Sequence, residues 1–169
     1  MWRFRHFGRM AVAAVAVLLA AVAVSCDSID DERLPPAPVR LTFANIGEWN
    51  VYGVGGALDH RRFIRELKIP ANYNYTELSY TGFGGILLVG DINGEPQAYD
   101  LACPVECRSD VRVSVTDGSY AECPKCHSTY EIFTNFGYPL SGEAAKRGYG
   151  LTRYKVFFGG ATEYAVITR

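Results

Sequence analysis

The chain has 169 residues, 49% of them hydrophobic and 21% charged, with a formal net charge of −1. That length bounds the fold to one domain of ordinary size with appendages, and that balance excludes a wholly disordered chain. With no basic patch, nucleic acid is excluded as the expected partner.

Arg3, Arg5 and Arg9 precede Ala11–Val24, an uninterrupted apolar run of fourteen residues. A membrane span needs about 20 such residues, so the run fits a secretory signal peptide over residues 1–25. It ends in Ala23-Val24-Ser25-Cys26, which resembles the lipobox of bacterial lipoproteins, with Ala23 where leucine is usual. The resemblance implies cleavage before Cys26, lipid attachment at its thiol, and a protein held to the membrane of the cell envelope by acyl chains. A plain signal peptide with an incidental cysteine is the alternative. The signal carries three of the 17 basic residues and none of the 18 acidic ones, so 14 face 18 after cleavage, a net charge of −4. Such a surface has no attraction for anionic lipid, and the acyl chains would supply the attachment.

Asp27–Arg33 is acidic, and Pro35, Pro36 and Pro38 follow. A charged, proline-rich stretch buries little apolar surface, so residues 26–38 are expected to be an extended tether. The acidic run also resembles the surface-export signal of lipoproteins in the Bacteroidetes group.

From Val39 the pattern is β-like, and a mainly β, small antiparallel domain over residues 39–169 is expected. Val39–Phe43 alternates as a half-buried strand does, and Trp49–Tyr52 is expected to be a second strand before the glycine turn at 53–56. Asp59–Leu67 is expected to be the one short helix, capped by Asp59, with Phe63, Ile64 and Leu67 on one face and Pro70 after it. His60 falls on its polar side, as a solvated residue rather than a ligand. Tyr73, Tyr75 and Tyr80 suit strand faces and sheet packing, with an aromatic-ligand surface as the alternative.

Ile86–Val89 reads as a buried strand, Asn93-Gly94 as a type I′ turn, and Pro96–Leu101 as the returning strand. A second hairpin, Val111–Val115 and Ser119–Glu122, turns at Asp117-Gly118. Ser128–Phe133 reads as a strand and Gly137–Ala144 as a loop. The two final strands, Leu151–Phe158 and Glu163–Thr168, turn at Gly159-Gly160.

Each of the middle hairpins ends in a Cys-Pro step: Cys103-Pro-Val-Glu-Cys107 and, after fifteen intervening residues, Cys123-Pro-Lys-Cys126-His127. Paired soft ligands on two short loops are what a tetrahedral metal or an iron–sulfur cluster requires. With Cys26 set aside, all of the remaining cysteines of the 5 lie in these pairs. Delivered by adjacent hairpins, the four sulfurs are expected at one tip of the sheet. Two disulfides or buried thiols are the alternative, given an oxidising compartment.

Over residues 85–168 the order of features resembles the Rieske-type ferredoxin domain. The hairpin VGDINGEPQAYDLACP is followed by CPKCHSTYEI, the Gly/Pro loop GYPLSGEA and LTRYKV. The resemblance implies a Rieske-like β-sandwich in which Cys103 and Cys123 match the cysteine ligands and the Gly/Pro loop packs over the cluster. The family's two histidine positions fall on Val105 and Cys126, so both histidines are replaced. Cys107 is then the expected substitute for the first, giving a four-cysteine site of Cys103, Cys107, Cys123 and Cys126. Such a site suits Zn²⁺ or a [2Fe–2S] cluster of lower potential than the histidine-ligated kind. His127 is expected beside the sulfurs, or as an alternative ligand if Lys125 is an insertion.

The expected function is that of a metal- or iron–sulfur-binding envelope lipoprotein with a four-cysteine site, for which single-electron transfer to an unidentified redox partner is one role left open. The alternative is a non-catalytic structural or interaction module in which zinc or disulfides staple the fold. No Ser/His/Asp arrangement, His-Glu-x-x-His motif or telling carboxylate pair points to catalysis.

Overall fold

The structure, a computed structural model, describes residues 28–116, 120–134, 136–160 and 162–169. The signal peptide, Cys26 and the Asp117-Gly118 turn expected from the sequence lie outside the described residues. In chain order the elements are β1 (Val39–Phe43), α1 (Ile46–Tyr52), β2 (His60–Phe63), a 3₁₀ turn (Arg65–Leu67), β3 (Tyr80–Thr81), β4 (Ile86–Gly90) and β5 (Pro96–Asp100). There follow β6 (Ser114–Val115), β7 (Ala121–Glu122), β8 (Thr129–Glu131), β9 (Tyr138–Ser141), α2 (Gly142–Arg147), β10 (Arg153–Phe158) and β11 (Ala165–Thr168). A 7-stranded sheet runs β2-β4-β5-β10-β11-β1-β3, and a 4-stranded sheet runs β6-β7-β8-β9. All of these strand pairings are antiparallel, so the domain is mainly antiparallel β.

β4 explains how the layers stack. It reads as a continuous apolar run because both of its faces are covered. Leu87 and Val89 face one core, with Tyr99, Leu101, Cys103, Cys123, Tyr130 and Ile132. Ile86 and Leu88 face the other, with Leu41, Phe43, Phe63 and Ile167. The cysteine loops therefore rise from the core shared by the two sheets. The second core is aromatic, with Phe43 meeting Trp49, Phe63 and Tyr73 edge-on at 4.9, 5.8 and 5.9 Å. Tyr73 is thus a core residue, whereas Tyr80 remains exposed.

Four local expectations are corrected. Asp59–Leu67 is not a helix: His60–Phe63 pairs with β4, from His60 opposite Val89 to Phe63 opposite Ile86. Phe63 and Ile64 enter opposite cores, the period of a strand, while Leu67 stays exposed. Trp49–Tyr52 is not a strand but the body of α1. Asn45 accepts from the Glu48 N–H at 3.0 Å, and the Glu48 carboxylate accepts from Ala44 N–H at 2.6 Å, a reciprocal arrangement like a capping box.

The β4–β5 connection is not a two-residue type I′ turn. Asp91 N–H donates to the Glu95 carbonyl (2.8 Å) and Gly94 N–H to that of Asp91 (2.9 Å). Gly94 alone takes a positive φ, 83°, which makes a three-residue loop with a glycine bulge. Finally, Gly137–Ala144 is β9 and the start of α2 rather than irregular loop.

The segment expected to be a tether is extended but lies along the domain from residue 28. Asp30 N–H donates to the Gly148 carbonyl (2.8 Å), and Gly150 N–H donates to that of Asp30 (3.0 Å). Arg33 covers the Tyr149 ring at 4.8 Å, and Leu34 is 3% exposed. Among the described residues no helix is long and apolar enough to cross a membrane.

Candidate metal centre

The first cysteine loop grows out of the end of β5. Leu101–Cys103 pairs with Val111–Val113, through Cys103 N–H to the Val111 carbonyl (2.9 Å) and Val113 N–H to that of Leu101 (2.8 Å). The second leaves β7 and returns on β8, closed by Cys123 N–H to the Ser128 carbonyl at 3.0 Å. Pro104 and Pro124 each preset the backbone φ at the second position of the loop. Each loop then folds back on its first cysteine, Cys107 N–H to the Cys103 carbonyl (2.9 Å) and His127 N–H to the Cys123 carbonyl (3.0 Å). Lys125 at one tip forms an ion pair with Glu106 at the other.

This geometry brings together the sulfurs of Cys103, Cys123 and Cys126, all within 4.8 Å of one another. Cys103 and Cys123 are fully buried and Cys126 is half-buried. Cys103 Sγ and Cys126 Sγ are 3.6 Å apart. Metal–thiolate bonds of about 2.3 Å in a tetrahedron put sulfurs about 3.8 Å apart, so the spacing fits a shared ion.

Cys107, the fourth member of the expected set, is not among the three sulfurs that meet. Its Sγ instead faces the Arg33 carbonyl at 3.9 Å. The reason is the spacing. Counting from the first cysteine of each loop, the position of Cys126 is held by Glu106, and Cys107 matches His127 one step beyond. His127 points outward, its side chain 73% exposed and its Nδ1 3.0 Å from Glu122 Oε1.

Residues not singled out from the sequence surround the sulfurs. The buried Tyr130 hydroxyl lies 3.5 Å from Cys103 Sγ. Ser128 Oγ accepts from Ala144 N–H (3.1 Å) and from the Cys126 thiol (3.3 Å). A Cβ on Gly142 would lie 2.7 Å from Ser128 Oγ, so α2 needs glycine there to approach the loop. Their signal was available: Ser128 and Tyr130 follow Cys126 at strand spacing and share one face.

One further anchor is Asp100, fully buried at the end of β5. Its carboxylate accepts from Phe83 N–H (2.7 Å), Gly84 N–H (2.9 Å), Ala102 N–H (2.7 Å) and the Tyr154 hydroxyl (2.5 Å). Gly84 passes so close that a Cβ would lie 2.5 Å from Ala102 N. Asp100 thereby fixes the residue just before Cys103.

Electrostatically the cysteines differ. Burial pushes the Cys103 thiol up to about 12, against the Tyr130 hydroxyl that would favour its thiolate. Burial acts upward on Cys126 too, but hydrogen bonds from Ser128 and the neighbouring thiols bring it below the ordinary thiol range. A bound cation is what would hold all three as thiolates, since coordination deprotonates a thiol outright. Cys26 lies outside the described residues. No family model, curated protein or solved structure matches the chain.

Proposed function

We propose that this domain is a metal-binding module in which Cys103, Cys123 and Cys126 hold one soft ion, zinc or iron, with the fourth position open. The carrying observation is the triangle of sulfurs within 4.8 Å, two of them buried where free thiols gain nothing from solvent. Soft thiolates select zinc and iron among common metals, and a structural ion joins the two loops whose tips Lys125 and Glu106 also tie.

A second reading is a [2Fe–2S] centre on a Rieske-like scaffold, with single-electron transfer to a redox partner. The matched folding of the two Cys-Pro loops favours it, as does the presence of Cys107 at the end of the first. On either reading the sequence supports a signal peptide and lipid anchor at Cys26, which would hold the domain at a bacterial envelope membrane. Anaerobic purification of the full chain with metal and acid-labile sulfide analysis separates the readings. One ion without sulfide upholds the first, equal iron and sulfide the second, and neither metal nor sulfide overturns both.

A further inference from the structure

We propose that Cys126 and Cys103 also form a reactive dithiol that exchanges with small organic disulfides and releases the metal ion as it does so. This rests on the three-thiol centre proposed above. The two sulfurs stand 3.6 Å apart across the loops, 23 residues distant in sequence. They differ in access: Cys126 is half-buried at the loop end, while Cys103 is 0% exposed. An external disulfide therefore reaches Cys126 first, and only a group already inside the protein reaches Cys103.

The Cys126 thiolate attacks one sulfur of the external disulfide, forming a mixed disulfide and expelling one thiolate. The Cys103 thiolate then attacks Cys126 Sγ, forming the Cys103–Cys126 bond and expelling the second thiolate. The external disulfide is reduced to two thiolates, which take protons from solvent, and the two cysteines are oxidised. Closing the gap to a disulfide of about 2 Å leaves Cys123 the only free thiol of the triangle, too few ligands for the ion. The loops stay joined, because the covalent bond replaces the ionic staple between the same elements. Oxidation thus exchanges one cross-link for another without unfolding the domain.

The test treats the full chain, as isolated, with oxidised glutathione under argon and measures released metal and disulfide positions together. Trypsin cleaving after Lys125 and glutamyl endopeptidase cleaving after Glu106 and Glu122 place all of Cys103, Cys107, Cys123 and Cys126 on separate peptides. The expected result is one Cys103–Cys126 cross-link formed for each ion released. Cys103→Ser should instead accumulate glutathione on Cys126, and Cys126→Ser should form no such cross-link. Glutathione left on Cys126 of the unmodified protein, a Cys123–Cys126 bond, or modification of Cys107 alone with metal retained would overturn the proposal. Protein isolated without metal would defeat the metal reading alone. The same mapping would then uphold exchange if the cross-link forms and overturn it if it does not.

Discussion

Cys107 and His127 occupy the same place in the two cysteine loops. Each donates its N–H to the carbonyl of the cysteine four residues earlier, at 2.9 and 3.0 Å, and each takes a left-handed backbone, φ 51° and 54°. A non-glycine residue pays about 1–2 kcal/mol for that conformation. The two loops are therefore folded alike, and the one-residue difference in cysteine spacing decides which sulfurs meet.

If the triangle is a metal site, its binding energy is folding energy. Cys123→Ser should then lower the melting temperature of the metal-loaded protein by about 10 °C, equivalent to roughly 3–5 kcal/mol. In excess chelator the same substitution should cost roughly 1 kcal/mol. Equal effects with and without chelator, by calorimetry, would contradict a metal at this position.

The buried Cys103 thiol makes two opposite pH dependences. Its folded value is raised to about 12 from an ordinary value of 9.0, so the folded state keeps a proton that the unfolded state loses. Metal-free protein should hold this contribution fully below about pH 9 and lose stability as pH rises from there toward about 12. Metal affinity should move the other way, rising with pH as thiols give up their protons. Denaturant titrations of chelated protein and competition assays with a metal indicator, across pH 7–10, read the two slopes.

Tyr130→Phe removes the hydroxyl beside Cys103 Sγ and little else, since the ring stays in the core. Metal affinity should fall about tenfold, the lower end for losing a hydrogen bond behind a ligand, with a stability cost of about 1 kcal/mol in the chelated protein. Competition titration against a chelator measures the first and urea unfolding the second.

Asp100→Ala strands the Phe83, Gly84 and Ala102 N–H groups and the Tyr154 hydroxyl in the core. A loss of roughly 3 kcal/mol is expected, together with looser metal binding because Ala102 adjoins Cys103. Unchanged metal affinity in a variant that still folds would show that Asp100 supports the fold without positioning the loop.

Cys26→Ser should move the protein from the membrane to the soluble fraction on cell fractionation, if Cys26 carries the lipid. Continued membrane association would contradict a lipid anchor there.

The β character of the chain was legible because β1 and the β4–β5 hairpin alternate or bury continuously over five residues each. Residues 59–67 misled because Phe63, Ile64 and Leu67 mimic a helical stripe, and pairing with β4 overrides that local pattern. For α1 a local signal existed in Asn45 and Glu48, three residues apart, but four residues rich in aromatic and β-branched side chains masked it. The site was legible as far as its two Cys-Pro loops. Counting cysteines gave four ligands; only the backbone turn at Cys107 shows that its sulfur leaves the cluster for Arg33. The packing of residues 28–34 against Gly148–Arg153 depends on backbone pairing, which composition does not encode.

X-ray absorption at the metal edge of the anaerobically purified full chain reads the three-thiolate centre itself. About three sulfur neighbours at about 2.3 Å, one lighter atom, and no metal–metal distance are expected. A second iron, a shell of oxygen and nitrogen alone, or no metal to measure would rule out a single ion held by Cys103, Cys123 and Cys126.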